Sequence, residues 1–424
     1  MQNIMKELSW RGLIKNKVTG IENLLKNPTT IYVGFDPTSD SLHLGNLLPI
    51  IVSIHFHKMG HKSLILIGGA TGFIGDPSGK NESRIFIKKK ILQKNTTSIK
   101  NQIYNLLKIY SGKIELFNNF DWIQNFSFLE FIREVGKYFT VNYMISKDSV
   151  KKRINDKKNG ISFMEFSYSL IQGYDFFYMN QIKNCQLQIG GSDQWGNIIT
   201  GIELIKKKTG KKVYGITFPL ITKSNGSKFG KSETGENIWL DKNKTSPYKF
   251  YQFWMNVSDT EIEKYIKIYT FLSQEKINKL ILQHKVNPSQ RLLQKKLAYE
   301  ITKWVHGDHI SKEIKKITHL LFEKKNEPIQ LLDEKTFEVI YDHIPHMSFS
   351  REKFEKGIFL LDLLKKSGFF SSKSEATRAL KANSISFNKI IVKENIEIKK
   401  ENVIKNKFIL FQFGKKEFFM IKII

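Results

Sequence analysis

The chain has 424 residues, of which 41% are hydrophobic and 12% aromatic, a composition that excludes a disordered or fibrous protein. This length predicts roughly two to four domains. The single cysteine, Cys185, excludes an internal disulfide, and the N-terminal residues contain no apolar run of signal-peptide length. No hydrophobic run reaches the length of a membrane span. We therefore expect a cytoplasmic globular protein that does not associate with membranes.

The formal net charge of +28 favours a nucleic-acid partner. Part of this charge has a simpler explanation, because only seven of the 68 basic residues are arginine and the chain is rich in residues encoded by AT-rich codons. Residues 351–424 carry 17 basic and 8 acidic residues, a net charge of +9 in 74 residues and about twice the density of the preceding part. This excess favours an RNA-binding module at the C-terminal end, with codon drift on a solvated surface as the alternative.

The first predicted elements form a strand–helix–strand unit. Residues 31–35 are β-branched, aromatic or glycine, as in a short buried strand. A loop over 36–40 leads to a helix over 47–59, and a second strand begins at Ser63. This order predicts a parallel sheet.

The loop before this helix contains candidate anion ligands. Asp40 or Ser41 is expected to cap the helix, so that His43, Gly45 and Asn46 lie in its first turn. The unpaired N–H groups and the dipole of such a turn favour an anion. By itself, a histidine and a glycine at a helix start are more often structural than functional.

A glycine-rich stretch follows the second strand, from Gly68 to Lys80. A P-loop requires Gly-x-x-x-x-Gly-Lys-Ser/Thr. Here only three residues separate Gly75 from Gly79, and Asn81 occupies the position of the hydroxyl residue that binds magnesium. We therefore reject a P-loop, and the dinucleotide-binding glycine pattern fits no better.

Helices and strands alternate along the middle of the chain. The predicted helices cover 82–110, 126–139, 141–154, 163–179 and a segment ending near 204, and the predicted strands cover 113–117, 186–189 and 217–221. The apolar helices at about 120–160 suit a subunit interface, so a homodimer is expected.

One long helix carries three polar residues among aromatic ones. Tyr168, Gln172 and Asp175 are spaced i, i+4 and i+7, so they project from one face. A polar face in water would give the same spacing, but a carboxylate among aromatic side chains needs partners. Downstream, the glycines of 190–197 open a helix, and 223–232 forms a basic, glycine-bearing loop that could equally be a solvated surface.

The remainder of the chain divides into three predicted parts. They are a helical region over 246–320, a linker over 326–350, and, within 351–424, two short helices (360–367 and 374–382) followed by β-rich segments.

Several motifs together resemble a known family. His43-Leu44-Gly45-Asn46 and Lys228-Phe229-Gly230-Lys231-Ser232 resemble the His-Ile-Gly-His and Lys-Met-Ser-Lys-Ser signatures of class I aminoacyl-tRNA synthetases. With the motifs at 32–38 (YVGFDPT) and 190–197 (GGSDQWGN), the chain closely resembles the bacterial tyrosyl-tRNA synthetases over essentially its whole length. Residues 368–380 resemble the basic helical motif of S-four-type RNA-binding domains.

This resemblance implies an α/β fold with several domains. They are a Rossmann-like parallel-sheet catalytic domain over 1–235 with a dimer region at about 120–160, a helical anticodon-recognition domain over 236–325, a linker over 326–350 and a small α+β RNA-binding domain over 351–424. The implied reaction activates L-tyrosine with ATP to tyrosyl-adenylate and pyrophosphate, then transfers tyrosine to the 3′ end of tRNA(Tyr). Mg²⁺ would accompany ATP, and no metal held by protein side chains is expected.

The resemblance also implies roles for individual residues. Tyrosine would be bound by Tyr32, Asp76, Tyr168, Gln172, Asp175 and Gln194, with Tyr32 and Asp175 at the phenolic hydroxyl. ATP and the adenylate would be bound by Gly34, Asp36, His43, Gly45, Gly191, Asp193 and Lys231. The catalytic groups would be Thr38, His43, Asn46, Lys80, Arg84, Lys228 and Lys231, and tRNA would contact Lys373, Arg378 and Lys381. The chain departs from the family at Asn46, in place of the last signature histidine, and at Val33, where many relatives have cysteine.

Two alternatives remain open. Tryptophanyl-tRNA synthetases share the fold, but an indole has no hydroxyl for Tyr32 and Asp175 to bind. A catalytically silent RNA-binding protein could also keep the fold. Attack of a carboxylate on the α-phosphorus needs positioning and positive charge at the leaving group, rather than a protein nucleophile. The cations that could supply this charge argue for the enzyme: Lys80, Arg84, Lys228 and Lys231.

Overall fold

The computed structural model describes residues 3–78, 87–108, 114–155, 160–222, 226, 229–231, 235–323, 329–414 and 416–424. The chain divides into two compact units, Met1–Asp241 with Val257–Leu297 and Lys242–Asn256 with Ala298–Ile424. Within the described ranges, no helix combines the length and the apolar character that crossing a bilayer requires.

A six-stranded sheet forms the centre of the first unit. In chain order its strands are β1 (Asn16–Lys17), β2 (Thr30–Phe35), β3 (Lys62–Ile67), β4 (Ile114–Asn118), β5 (Cys185–Gly191) and β6 (Tyr214–Phe218). The spatial order is β1-β6-β5-β2-β3-β4, with β2 to β6 parallel and β1 antiparallel at one edge. The predicted parallel sheet is confirmed. The strand predicted over 217–221 begins three residues earlier, and the two-residue β1 is too short for a sequence pattern to show.

Eleven helices occur between the start of the chain and the end of this sheet region, within the described ranges. They are α1 (Ile4–Trp10), α2 (Ile21–Leu24), α3 (Leu47–Lys58), α4 (Thr71–Ile74), α5 (Lys89–Leu107), α6 (Phe120–Ile123), α7 (Phe128–Glu134), α8 (Val141–Ile145), α9 (Asp148–Ile154), α10 (Phe163–Lys183) and α11 (Trp195–Thr209). The two helices predicted over 126–154 are instead three short ones, because turns interrupt them after Glu134 and Ile145.

The long helix α10 has clear start and stop signals. Ser162 caps its N-terminus and forms a reciprocal capping box with Glu165, and Asn184 ends it in the left-handed conformation at φ 49°. Helix α10 packs closely on α11 because Gly201 faces it. A Cβ at Gly201 would lie 2.9 Å from the ring of Phe176, so any side chain there would push the helices apart.

The predicted helical region contains five helices. They are α12 (Pro247–Met255), α13 (Asp259–Tyr269), α14 (Gln274–Val286), α15 (Leu292–His306) and α16 (Asp308–Thr318), followed by a π-helical turn, His319–Glu323. These helices do not form a unit of their own, since Val257–Leu297 belongs to the first unit and the flanking parts to the second. The domain predicted over 236–325 therefore differs from the compact units of the structure.

The C-terminal elements form a small α+β fold. They are α17 (Glu334–His343), β7 (His346–Phe349), α18 (Arg351–Glu355), β8 (Ile358–Phe359), α19 (Leu360–Lys366), α20 (Lys373–Lys381), β9 (Ile385–Phe387), β10 (Ile390–Ile391), β11 (Glu397–Ile398), β12 (Phe408–Phe413) and β13 (Glu417–Ile423). Five strands pair in the order β10-β9-β12-β13-β7, and β8 pairs with β11. The buried leucines of α19 belong to the hydrophobic core of this fold.

The linker predicted over 326–350 needs correction. Its described part contains α17 and β7, and β7 pairs in parallel with the final strand β13. His346 and Phe349 lie opposite Met420 and Ile423 in this pairing. The C-terminal fold therefore begins before residue 351.

Candidate active site

A cavity of about 570 Å³ opens at the carboxyl ends of β2 and β5. The chain runs from β2 outward to β3 and β4, and from β5 outward to β6, so the strand order reverses between β2 and β5. Such a reversal is the usual ligand site of an open parallel sheet. The cavity brings together most of the predicted site residues: Tyr32, Gly34, Asp36, Thr38, His43, Gly45, Asn46, Asp76, Tyr168, Gln172, Asp175, Gly191, Asp193 and Gln194.

Asp175 is the most deeply buried carboxyl group of the cavity, with a 1% exposed side chain. Its Oδ2 accepts a hydrogen bond from Asn119 Nδ2 at 2.9 Å, and its Oδ1 accepts one from Trp122 Nε1 at 2.9 Å. Burial raises the pKa of Asp175 to about 7, although both hydrogen bonds oppose the rise. The two donors fix the orientation of this carboxyl group, which the helix position alone would leave free to rotate.

Sequence reasoning missed Asn119 and Trp122. Asn119 also donates to Thr71 Oγ1 at 3.1 Å and accepts from Ala70 N at 2.7 Å, so it ties α10 to the loop after β3. The position of Asn119 in the sequence could have indicated its role. It comes directly after β4, at the carboxyl ends of the parallel strands, where the other site residues also lie.

Tyr32 lies on β2 and lines the cavity. The hydroxyl oxygen accepts a hydrogen bond from Gln188 Nε2 at 2.9 Å. Burial raises the pKa of Tyr32 well above its ordinary value, and the nearby Asp175 raises it further. Tyr32 is therefore neutral, and its own proton is available to a ligand.

Asp36 is held from two sides at the end of β2. Tyr168 donates its hydroxyl proton to Asp36 Oδ2 at 2.7 Å, and Thr71 donates to Asp36 Oδ1 at 2.7 Å. Burial, followed by the charge of Asp36, raises the pKa of Tyr168 well above its ordinary value. The resemblance assigned Tyr168 to the binding of tyrosine, and in this structure Tyr168 donates its hydroxyl proton to Asp36.

A second polar cluster surrounds Asp76. Gln194 Nε2 donates to Asp76 Oδ2 at 2.6 Å and to Asp193 Oδ2 at 3.2 Å, and Ser78 N donates to Asp76 Oδ1 at 2.8 Å. Burial raises the pKa of Asp193, and the nearby Asp76 raises it further. Gln172 adds a buried Oε1 that, among the described residues, has no hydrogen-bond partner. The cluster is rich in acceptors and suits a cationic group of a ligand.

The His43 motif forms a 3₁₀ turn over Leu44–Asn46, just before α3. His43 caps this turn, so the prediction that Asp40 or Ser41 caps the helix is wrong. Its Nδ1 accepts from Gly45 N at 3.1 Å, which places the proton of the neutral imidazole on Nε2. Asn46 Oδ1 accepts from His43 N at 3.0 Å, so the amide group of Asn46 keeps its N–H donors for other partners. The Asn46 side chain is short enough for its oxygen to reach back across one turn to the backbone N–H of His43.

The predicted cations are less fully described. Lys231 is exposed and lies opposite Asn237 in an antiparallel pairing, outside the residues that line the cavity. Lys80, Arg84 and Lys228 lie outside the described residues. The predicted tRNA-binding residues lie on α20, in the second unit, where all three are exposed: Lys373, Arg378 and Lys381.

The sequence and the fold are similar to those of known proteins. The sequence profile of the family described as tRNA synthetases class I (W and Y) matches residues 24–323, and that of the tyrosine–tRNA ligase SYY-like C-terminal domain matches residues 336–421. The chain is 49% identical to the Tyrosine–tRNA ligase of Flavobacterium johnsoniae, over 100% of both chains. It belongs to the tyrosine–tRNA ligase family. It is also 45% identical to the Tyrosine–tRNA ligase of Bacteroides thetaiotaomicron, over 99% of each chain.

Solved structures support the same placement. A C-terminally truncated mitochondrial tyrosyl-tRNA synthetase from Aspergillus nidulans superposes with a TM-score of 0.69 at 32% identity, covering 76% of this chain and 95% of that one. A tryptophanyl-tRNA synthetase from Encephalitozoon cuniculi gives a TM-score of 0.53 at 15% identity, covering 80% of this chain and 91% of that one. The second likeness shows the shared fold alone. The family and the fold class predicted from the motifs are confirmed.

Proposed function

We propose that the chain activates L-tyrosine with ATP, forming tyrosyl-adenylate and pyrophosphate, and then transfers tyrosine to the 3′ end of tRNA(Tyr). The observation that carries the choice of amino acid is the buried pair of Tyr32 and Asp175 at the cavity. A phenolic hydroxyl can accept from Tyr32, and it can donate to the Asp175 carboxylate. An indole could not satisfy both groups, which disfavours tryptophan as the substrate.

The acceptor cluster is proposed to hold the ammonium group of tyrosine. Asp76, Gln172 and Gln194 all line the cavity, and the Gln172 oxygen lacks a partner among the described residues. An ammonium group would satisfy this oxygen and offset the charge of Asp76. It would also orient the substrate carboxylate for attack, which is the main need of a reaction without a protein nucleophile.

The first step transfers the adenylyl group. A carboxylate oxygen of tyrosine attacks the α-phosphorus of ATP, and pyrophosphate leaves with the bond electrons. His43 Nε2–H and the Asn46 amide are proposed to donate to the phosphates, and the glycines at 34, 45 and 191 leave room for the nucleotide. From the family resemblance, Thr38 would join them, and Lys80, Arg84, Lys228 and Lys231 would neutralise the leaving pyrophosphate.

Mg²⁺ is proposed to enter bound to ATP rather than to a site of the protein. Within the described ranges, no three His, Cys, Asp or Glu side chains cluster closely enough to hold a metal ion. A metal carried by phosphate oxygens needs few protein ligands. When bound, it would reduce the negative charge of the phosphates.

The second unit is proposed to bind tRNA, partly through Lys373, Arg378 and Lys381 on α20. Lys373 already donates to Asp362 Oδ1 at 2.7 Å, so its charge is partly offset. Arg378 and Lys381 project from the same helix into solvent. A cytoplasmic location is part of this proposal, because the enzyme must meet both free tyrosine and tRNA.

We also propose that the protein is a homodimer. Helices α7 to α10 expose large apolar side chains that a monomer would leave in water: Phe128, Leu129, Ile132, Val141, Ile145, Ile154 and Phe163. Large exposed apolar side chains concentrated in one region of the chain indicate a protein interface. These residues lie within the region at about 120–160 predicted to form the dimer contact, with Phe163 just beyond it.

An amino-acid-dependent ATP–pyrophosphate exchange assay with all twenty amino acids tests the activation step. We expect exchange with tyrosine, and none above background with tryptophan or phenylalanine at equal concentration. Charging of tRNA(Tyr) tests the transfer step. Exchange that depends on tryptophan would favour the alternative enzyme, and no exchange with any amino acid would favour an RNA-binding protein without activity.

A further inference from the structure

His43 and Trp239 face each other across an antiparallel pairing. Main-chain hydrogen bonds flank the pair on both sides, from Leu44 N to Ile238 O at 3.0 Å and from Leu240 N to Leu42 O at 2.9 Å. The pair itself is therefore the non-hydrogen-bonded kind, in which opposite side chains lie closest. The imidazole and indole centroids are 6.2 Å apart, at an interplanar angle of 57°.

The segment that carries Trp239, residues 237–240, also pairs with the second signature. Ile238 N donates to Gly230 O at 2.8 Å, and Asn237 lies opposite Lys231. A Cβ at Gly230 would lie 3.2 Å from Leu44 Cβ, so the two signature segments approach each other closely at this point. Ile238 thus contacts both signatures: its N–H donates to Gly230 in the second, and its carbonyl oxygen accepts from Leu44 in the first.

The segment is anchored by side chains on one face. Ile238 is 2% exposed and Leu240 is 7% exposed, so both are buried in the core. Because side chains alternate along an extended segment, Trp239 points to the opposite face, where His43 lies. Trp239 is partly exposed and is not among the residues that line the cavity. Any effect of its indole on a bound nucleotide must therefore pass through its neighbours.

The imidazole of His43 has little freedom on its own turn. Its Nδ1 accepts from Gly45 N, and a Cβ at Gly45 would lie 2.9 Å from His43 Cε1. The hydrogen bond fixes one end of the ring, and the indole of Trp239 limits its tilt. Together they determine where the Nε2 proton points.

We propose that Trp239 is a positioning residue for adenylate formation, holding the His43 ring and, through the 237–240 segment, the register of Lys231. This proposal rests on the function proposed above. It predicts that removal of the indole slows the chemical step and leaves tyrosine binding intact. The main-chain bonds of the 237–240 segment described above run to the two signature segments and not to the residues proposed to bind tyrosine.

The test measures tyrosyl-adenylate formation by stopped-flow in four proteins: the parent, Trp239→Ala, His43→Ala and the double variant. We expect Trp239→Ala to lower the rate constant roughly tenfold to a hundredfold, with the Kd of tyrosine within about twofold of the parent value. In the His43→Ala background the same substitution should cost at least about threefold less, since contacting residues do not act additively. Trp239→Phe, which keeps an aromatic ring, should recover most of the rate.

Trp10→Ala provides the control, because it removes a partly exposed indole from the same unit away from the His43 motif. We expect it to leave the rate constant at the parent value. Equal losses in the parent and His43→Ala backgrounds would overturn the proposal, as would a Kd of tyrosine that weakens in step with the rate. If Trp239→Ala does not fold, the cycle is run with Trp239→Leu and judged by the same criteria. A parent protein without exchange activity would refute the proposed function instead.

Discussion

Trp122 donates its indole N–H to Asp175 Oδ1 at 2.9 Å, so a residue on α6 fixes a carboxyl group on α10. The other oxygen of Asp175 accepts from Asn119. A buried carboxyl group with both oxygens already paired keeps further lone pairs for a ligand hydroxyl and cannot turn away from it. The orientation of the Asp175 carboxyl group therefore depends on residues outside α10.

Asp175→Ala should lower the ratio of kcat/KM for tyrosine to that for phenylalanine. With the carboxyl group present, binding of phenylalanine leaves buried polar groups unpaired, at a cost of about 2 kcal/mol or roughly thirtyfold. The alanine variant removes that penalty. The measurement is pyrophosphate exchange with both amino acids. Trp122→Phe keeps the carboxyl group but removes one of the two donors that orient it, so it should lower the ratio less than Asp175→Ala does. An unchanged ratio in Asp175→Ala would show that other residues recognise the hydroxyl.

The raised pKa of Asp175, about 7, makes a prediction about stability. Between about pH 4 and pH 7 the folded protein keeps this proton and the unfolded chain has released it. The group therefore destabilises the fold increasingly as pH rises through this window, by an amount on the order of a few kcal/mol. In Asp175→Asn the side chain at this position is an amide, which does not release a proton in this pH range. The difference in unfolding free energy, variant minus parent, should rise from pH 4 to pH 7 and then level off. Parallel curves in chemical unfolding across this range would contradict the assignment.

The sequence predicted the parallel sheet because the signals for its strands are local. The apolar strands of 31–35 and 63–67 and the polar spacing on α10 required no knowledge of distant contacts. Side-chain partners could not be predicted in the same way. Asn119 and Trp122 reach Asp175 only because the segment after β4 meets α10 in space, more than fifty positions away in the chain.

The sequence also predicted the boundaries of helices and domains poorly. Asp40 and Ser41 are good capping residues by type, but His43 has the extended backbone and the acceptor nitrogen at the position where the turn begins. The linker prediction failed for a related reason. Strand β7 has only four residues, and it is stabilised by pairing with β13, which lies about seventy positions later. No local pattern records such a pairing.

Lys231→Ala should slow adenylate formation without changing the affinity for tyrosine. Its charge is expected to act mainly on the leaving pyrophosphate, so its loss should cost about 3 kcal/mol of barrier, roughly a hundredfold in rate. Stopped-flow rate constants and the Kd of tyrosine provide the check. Lys264→Ala removes an exposed lysine from α13 and should have no effect on either quantity. A normal rate with weakened tyrosine binding would place Lys231 in a different role. We expect Lys228→Ala to behave as Lys231→Ala does.

Leu129→Glu should dissociate the proposed homodimer. Leu129 is 77% exposed on α7, so a charge there costs nothing in a monomer and is buried in a dimer. Sedimentation velocity should give a parent species of twice the chain mass and a variant of single mass. Leu282→Glu, at a residue 67% exposed on α14, should leave the dimer intact. A parent that sediments as a monomer would contradict the proposal directly.

Deletion of the C-terminal fold should separate the two half-reactions, and the structure determines where to cut. A deletion from residue 351 would leave β7 without its partner β13, so the better truncation removes residues 333–424, starting at the N-cap of α17. A C-terminally truncated relative from Aspergillus nidulans has a solved structure, which supports folding of the remaining part. Tyrosine-dependent exchange should survive the truncation, and charging of tRNA(Tyr) should fall.

The C-terminal fold also leads to a prediction about how salt affects tRNA binding. Neutralised phosphates release counterions, so each lost contact lowers the dependence of log Kd on log salt by about one unit. Arg378→Ala should lower the slope by nearly that amount, because its exposed guanidinium suits a phosphate. Lys373→Ala should lower it less, since Lys373 is paired with Asp362. tRNA binding across a salt series tests both. Identical slopes in parent, variants and truncated protein would mean that the positive charge of this region is compositional drift.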